Sequence, residues 1–416
     1  MDATLFTKAG FLRINVTSSL GQIPVKDATV SITYTGEPGR VLEELTTDES
    51  GLTDTIELPA PDISYSLDPE SEVQPYSEFT ITVTASGYET VIVSGSEILA
   101  ESLSTQPIRM NPLDATEEYE KRVVIPAHTL WGSYPAKIPE SEVKPIAETG
   151  EIVLSRVVVP EYVIVHDGAP SDRTAQNYWV RYTDYIKNVA SSEIYSTWPE
   201  STIYANVLAI MSFTLNRVYT EWYRNKGYNF TITSSTAFDQ KWMYGRNIFE
   251  SIDEAVEDVF RNYLSRPNVR QPILTQYCDG KRVQCPQWLR QWESMALGEQ
   301  GYRAIEIIHA FYGDSMYINS SEEVSGVPAS YPGFPLSPGS SGSDVMKIQE
   351  QLNRISDNYP LIPKLVPDGI FGPQTQEAVK VFQSVFGLTQ DGVVGSRTWY
   401  RIQDIYVAVT RIAEGV

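Results

Sequence analysis

The chain has 416 residues, 42% of them hydrophobic and 20% charged, with a formal net charge of −21. That length exceeds what one hydrophobic core usually organises and predicts about two to four domains. The acidic balance excludes partners held by clustered Lys and Arg, so neither nucleic acid nor an anionic membrane surface is expected. No run of about 18 apolar residues occurs, so no membrane span is predicted. The opening "MDATLFTKAGFLRINV" lacks a basic stretch followed by an apolar one, and if it is the native start no secretory signal is expected.

Residues 1–113 read as all-β. Phe11, Ile14 and Val16 lead to a turn at Gly21, and Val25, Ala28, Val30 and Ile32 recur with strand-like spacing. "FTITVTASGYETVIVSG" predicts two strands joined around Ser86-Gly87. Short strands punctuated by Gly, Pro and Asp suggest a small β-sandwich. It has no His or Cys and its acids sit in turns, which points to a binding, folding or inhibitory module. Residues 114–149 read as a linker and extended segment. Its charged beginning, "LDATEEYEKRVV" (113–124), has the character of an exposed, protease-sensitive stretch, and a Pro-punctuated run from Ile125 to Pro145 should wrap over a surface.

Residues 150–322 form a mixed α+β region. "EIVLSRVVVPEYVIVHDG" predicts two strands and "DYIKNVASSEI" a helix. Tyr204, Leu208, Met211, Leu215, Val218 and Trp222 make one apolar helical stripe, with Pro199 in its first turn and Gly227 as its cap. Two more helices are expected near 250–264 and 288–312. Residues 323–340 are rich in Pro, Gly and Ser and read as a second linker.

Residues 341–416 should form three short helices around one core. Their stripes are Val345, Ile348, Leu352 and Ile355; Ala378, Phe382 and Phe386; and Trp399, Ile402, Tyr406 and Val409. "DGIFGPQT" and "DGVVGSRT" repeat a D-G-x-x-G-x-x-T pattern. Its glycines suit tight turns at positive φ and its Asp residues suit backbone amides. By themselves these are turn residues.

"GSDVMKIQEQL…DGIFGPQTQEAVKVFQSVFGLTQDGVVGSRTW" resembles peptidoglycan-binding domains of the three-helix type. The likeness includes Gln349, Leu352, Asp368, Gly369, Gly372, Thr375, Ala378, Val379, Phe382, Gln383, Asp391, Gly392, Thr398 and Trp399. "DYIKNVASSEIYSTWPESTIYANVLAIMSFTLNR" and "QWESMALGEQGYRAIEIIHAFYG" resemble the segments of stage II sporulation protein D-type lytic transglycosylases that read V-x-x-E-M-P…W-P…A-x-A-V-A-A-R-T-Y and Q-W-G-A…M-A-x-x-G. The order of parts is similar to clostridial spore cortex-lytic enzymes of the SleC type.

The resemblance implies a germination-specific lytic transglycosylase that cleaves the MurNAc–GlcNAc bond of cortex peptidoglycan without water. It implies a zymogen made in the mother cell without a Sec signal, located in the cortex or coat region of the spore. A germination protease would activate it by removing the N-terminal region. On the same basis Glu193 is the catalytic acid, with Ser191 and Ser192 leaving space beside it and Tyr195 and Trp198 walling it. Trp198, Thr236, Asp239, Gln240, Tyr244 and Gln291 are implied substrate contacts, and no cofactor or metal is expected. Read only as residues, Glu193 is a charge at a helix end, and the 234–245 stretch is a polar turn.

Two departures stand out. Met211-Ser212-Phe213 replaces the family's Arg-Thr-Tyr, and Cys285 stands where the family often has His. Some family members hold zinc with His and Cys. Here Cys278 and Cys285, spaced C-x6-C, could form a bridge, share a metal or stay as thiols, and four ligands for zinc are not gathered nearby. A hydrolytic muramidase with Asp184, Asp239 or Glu200 as a second carboxylate, and a non-catalytic peptidoglycan-binding coat or cortex protein, are the competing functions.

Overall fold

The computed structural model describes residues 8–20, 23–113, 119–144, 154, 156–321, 323–325 and 331–410. The N-terminal strands are β1 (Lys8–Ser18), β2 (Thr29–Tyr34), β3 (Val41–Thr46) and β4 (Ile56–Ala60). After a helical turn, α1 (Ser64–Leu67), come β5 (Tyr76–Thr84), β6 (Thr90–Leu99), β7 (Leu103–Met110) and β8 (Glu120–Val124). They make two sheets, one containing β7-β1-β4 and the other in the order β3-β2-β5-β6-β8. Alternation decides which side chains are inside. In β1, Leu12, Ile14 and Val16 are fully buried and meet Val30, Ile32, Ile81 and Val83 in one apolar cluster, whereas Arg13, Asn15 and Thr17 face away. Gly87, at φ +79°, turns the chain between β5 and β6.

The charged run read as an exposed linker is in part a strand. Glu120–Val124 pairs parallel with β6 from Thr90↔Glu120 to Ser94↔Val124, because Val123 is apolar enough to be buried at the sandwich edge. Residues 114–118, the middle of that run, lie outside the described residues. Residues 125–144 then follow an irregular path against the central region, joined to it by Ile138 N–H to Ala237 O (2.7 Å) and Leu274 N–H to Glu142 O (2.9 Å).

The central elements begin with β9 (Val158–Val159), β10 (Tyr162–His166), β11 (Asn177–Arg181), α2 (Tyr182–Glu193) and α3 (Glu200–Tyr219). They continue through β12 (Ile232–Thr233), β13 (Ile248–Phe249), α4 (Glu250–Val259), β14 (Asn262–Ser265), β15 (Tyr277–Cys278) and β16 (Leu289–Arg290). α5 (Gln291–Glu299), α6 (Ala304–Tyr312), β17 (Tyr317–Ser320) and β18 (Glu323–Val324) complete the set. α3 is the hub, buried on every side rather than along one stripe, with Ile203, Val207, Ile210, Met211 and Phe213 all in the core. Pro199 is its N-cap rather than part of its first turn, and the helix ends at Tyr219. Gly227 (φ +83°) closes a separate short turn over Arg224–Lys226. α5 lies close against the start of α3 because Gly298 has no side chain: a Cβ there would overlap the Thr202 hydroxyl.

Two connections tie the central region to its neighbours. β13 pairs antiparallel with β7, so the first sandwich sheet has the order β13-β7-β1-β4 and ends on a strand from the central region. The C-terminal helices, α7 (Ser343–Ile355), α8 (Pro373–Val385) and α9 (Ser396–Thr410), share a core containing Ile348, Leu352, Ala378, Phe382, Trp399 and Ile402. α9 faces α2 and α4 through charged groups, with Arg401 reaching Glu257 (4.0 Å) and Asp404 reaching Arg181 on β11 (3.7 Å).

Candidate active site

Glu193 is the last residue of α2 and only 3% exposed. Its surroundings come from four separate stretches of chain. Oε1 accepts the Lys241 backbone N–H (2.7 Å), and Oε2 accepts the Tyr277 hydroxyl. The Gln291 side-chain amide donates to the Glu193 backbone carbonyl (3.1 Å), fixing the end of the helix. Burial holds the Glu193 carboxyl above the usual carboxylate range. The Lys137 ammonium, the Tyr277 hydroxyl and the Lys241 amide pull against that rise without cancelling it.

Lys137 and Tyr277 had no signal in the sequence. Lys137 lies in the irregular 125–144 segment, donates to the Asp239 backbone carbonyl, and sits 5.0 Å from the centre of the Tyr277 ring and 5.2 Å from that of Phe213. Burial lowers the affinity of its amine for a proton, and Glu193 and Asp239 counter that. A lysine in a Pro-punctuated stretch looks like a solvated charge. Only the path of the chain brings it beside the acid.

The expected substrate contacts divide. Gln291 is at the site but holds backbone. Asp239 and Gln240 are fully buried and committed internally. Asp239 accepts from Arg217 Nε (2.7 Å), the Tyr223 hydroxyl (2.6 Å) and the Thr233 amide (2.9 Å) and hydroxyl (2.7 Å). Gln240 accepts from the Thr214 (2.8 Å) and Tyr185 (3.2 Å) hydroxyls and donates to Ile210 O (3.0 Å). Both therefore build the floor under Lys241 rather than presenting polar atoms to a ligand. Arg217, nearly two turns beyond Met211, supplies the buried guanidinium of α3. It bridges Asp239 and Glu140, and the latter is held below the usual range by Arg217 and Lys144 although burial works the other way.

Trp198 does not form an open wall. It is buried, stacks near Trp292 (5.1 Å) and Tyr195 (5.9 Å), and its indole N–H donates to Ser66 O in α1 of the sandwich (2.9 Å). Thr236 is half-buried and donates to Pro135 O (3.1 Å). Tyr244 accepts from Lys121 of β8 (2.7 Å). It also lines a cavity of about 600 Å³ where the sandwich, α2 and the C-terminal helices meet, together with Arg13, Arg109, Tyr178 and Arg401. Glu193 is not in that wall. Of the competing second carboxylates, Asp184 lines the same cavity, Glu200 is exposed on α3 and Asp239 is locked in its buried pair.

Cys278 and Cys285 form a disulfide, which leaves neither thiolate to a metal. His166 is a satisfied structural residue, stacked on Phe230 (4.5 Å) and hydrogen-bonded to Asn177 (2.8 Å).

In the C-terminal helices the two repeats have one geometry. Gln349 on α7 donates to Asp368 Oδ1 (2.9 Å), Thr375 Oγ1 (3.0 Å) and Ile370 O (3.0 Å), and accepts the Gly369 N–H (2.8 Å). Gln383 on α8 does the same for Asp391 (2.7 Å), Thr398 (3.2 Å), Val393 O (3.1 Å) and the Gly392 N–H (2.8 Å). Gly369 (φ +71°) and Gly392 (φ +70°) require the left-handed region, but Gly372 (φ −93°) does not and serves as the N-cap of α8. Trp399 is fully buried beneath the second turn. The motif residues thus build two equivalent turns, each read by a glutamine from the preceding helix.

Residues 341–402 match the peptidoglycan binding domain family. Among curated proteins, the zinc D-Ala-D-Ala carboxypeptidase of Streptomyces albus G is 42% identical over 73 residues, 17% of this chain and 27% of that protein. An uncharacterized protein of Kitasatospora aureofaciens is 39% identical over 69 residues, 16% of this chain and 53% of that protein. The chain thus spans about a quarter and about half of the length of these relatives. Among solved structures, the SleB N-terminal domain is 30% identical over 18% of this chain and 99% of its own, with a TM-score of 0.17. That score is too low for likeness of the whole fold. Residues 341–402 are thus a peptidoglycan-binding domain.

Proposed function

We propose that this chain is a lytic transglycosylase that degrades spore cortex peptidoglycan during germination, cleaving the MurNAc–GlcNAc bond to leave 1,6-anhydro-MurNAc. One observation carries the reading: Glu193 is a single buried carboxyl, held above the usual carboxylate range. None of the candidate second carboxyls stands free beside it: Asp239 is paired with Arg217, Asp184 lines the separate cavity and Glu200 is exposed on α3. Hydrolytic glycosidases use two carboxyls, one to protonate the leaving oxygen and one to activate water or attack the sugar. A lytic transglycosylase needs one. Protonated Glu193 gives its proton to the glycosidic oxygen as the C1–O bond breaks and GlcNAc departs with a free hydroxyl. The resulting carboxylate then takes the proton of the MurNAc C6 hydroxyl as that oxygen bonds to C1. The net change is an intramolecular displacement at C1, with no water consumed and the acid restored.

The near-complete burial of Glu193 supports a closed, inactive form. The chain just after the acid is held by the sandwich through Trp198–Ser66, Thr197–Ser66 (2.8 Å) and Ser196–Ser102 (2.8 Å). In this reading the N-terminal region is the inhibitory part of a zymogen, and cutting in the 113–124 run begins its release. The protein would act in the cortex or coat region of the spore.

Mass spectrometry of digested cortex tests the chemistry. Anhydro-muramitol ends are expected, and products only at the hydrated mass would sink the transglycosylase reading. Glu193→Gln should reduce lysis by at least about two orders of magnitude with the fold unchanged. Intact lysis by that variant would exclude Glu193 as the acid.

A further inference from the structure

The two oxygens of Glu193 face chemically different partners. Oε1 meets a backbone N–H, a group that only donates, and protonating this oxygen would weaken it as an acceptor, so it is the poorer seat for the acidic proton. The proton of the neutral acid therefore belongs on Oε2. That oxygen faces the Tyr277 hydroxyl, which can accept from a carboxylic acid and donate to a carboxylate.

The backbone beneath Tyr277 is restrained from several directions. Tyr277 pairs with Leu289 across β15 and β16, and Cys278 is bridged to Cys285. The preceding residue, Gln276, has its backbone carbonyl bonded by Tyr312 (2.8 Å), its side-chain amide nitrogen donating to Ile138 O (2.7 Å) and its side-chain oxygen accepting from Glu140 N–H (2.8 Å). The ring is enclosed, with Lys137 over its face. A Phe ring would fill the same space; the hydroxyl at its tip meets two groups, the acid and the Gln240 side-chain amide, which Ile210, Thr214 and Tyr185 also hold.

We infer that Tyr277 is the positioning residue of Glu193. It accepts from the protonated Oε2 before the leaving oxygen is protonated and donates to the same oxygen afterwards, so that one carboxyl serves in turn as acid and base. This rests on the proposed role of Glu193. Its failure is separable from failure of that role, because the titration of Glu193 can be followed without turnover.

The test uses the full chain labelled with 13C at glutamate carboxyls, the Glu193 resonance being the one absent from Glu193→Gln. The charged groups facing the carboxyl, Lys137 and Lys241, stay in place in the variants of Tyr277. In Tyr277→Phe the carboxylate loses a charge-assisted donor and the neutral acid only an ordinary acceptor, so the Glu193 midpoint should rise by about one pH unit, the difference in worth of those two hydrogen bonds. The alkaline limb of the lysis profile should rise with it, with kcat reduced and KM unchanged. A 3-fluorotyrosine placed at 277, the same shape but a stronger donor, should move the midpoint down. It also serves if Tyr277→Phe fails to fold. Midpoints that stay at the wild-type value in the folded variants would overturn the inference and leave Tyr277 a packing residue. Lysis by Glu193→Gln would instead overturn the catalytic role of Glu193, whatever Tyr277 does to its titration.

Discussion

At the scale of single residues, burial separates groups that look alike in sequence. Glu193 and Asp239 are both acids among polar neighbours, yet one has a phenol and an amide at its oxygens while the other is paired with Arg217. Breaking a buried ion pair from one side leaves a charge without a partner and costs about 3–5 kcal/mol. Asp239→Ala should therefore lower the thermal unfolding midpoint strongly. Had Asp239 been a substrate contact, the variant would instead keep its stability and raise KM, so calorimetry and kinetics together distinguish the two roles.

Glu97 gives a pH-dependent case. Burial pushes its carboxyl up to about 7, although Arg246 lies 2.8 Å away and works in the other direction. The folded chain thus holds this proton more tightly than the unfolded chain, whose carboxyl titrates near 4.5. The associated stability is full below about 4.5 and is lost as pH rises through about 7. Thermal unfolding between pH 4.5 and 8 should show that decline, and Glu97→Gln should flatten it. An equal slope in the variant would assign the pH dependence to other groups.

At the scale of elements, the C-terminal helices are held by one shared core, with Phe382 at its centre and two glutamine-read turns at its edge. Truncating a buried Phe typically costs about 3–5 kcal/mol, a large share of what three short helices can have. Phe382→Ala should melt this module at a lower temperature than the rest and abolish co-sedimentation with cortex, while lysis of small soluble muropeptide strands persists. Undiminished sedimentation of a variant whose helices have melted would show that another surface tethers the chain. The glutamines also explain the repeat: a D-G-x-x-G-x-x-T turn is complete only when a side-chain amide from the previous helix satisfies its Asp, Thr and Gly groups.

At the scale of the whole molecule, the sandwich is attached by more than its linker. β13 extends a sandwich sheet, and β8, on the far side of residues 114–118, is paired into the other sheet. Arg246–Glu97 and Trp198–Ser66 add contacts across the same boundary. A cut within 113–119 would therefore break the covalent link without breaking these. We expect the nicked protein to elute as one species on size exclusion and to separate only in denaturant or on further trimming. If the proposed zymogen reading holds, activation should follow separation rather than the cut. Immediate release of the N-terminal fragment, or equal lysis by full-length and N-terminally truncated chains, would contradict this.

How much of this was legible beforehand follows from the range of each interaction. Spacing grouped Ile14 and Val16 with Phe11, which is exposed while Leu12 is buried in its place, and helical spacing marked the stripes of α7, α8 and α9, because neighbours a few residues apart decide those patterns. The D-G-x-x-G-x-x-T turns were readable for the same reason. The burial of α3, complete beyond its first turn and a half, exceeded its predicted stripe, since four surrounding helices cover it and spacing reports only one face. Glu193 and Gln291 could be singled out by resemblance, but Lys137, Lys241 and Tyr277 could not. These three come from stretches dozens of residues away, and no local pattern distinguishes a lysine over a buried ring from one in water. Local sequence determined the elements and the turn chemistry. Only the tertiary path decided which carboxyl is desolvated and opposed by a hydroxyl, because desolvation is a property of everything packed around a group and not of its neighbours in the chain.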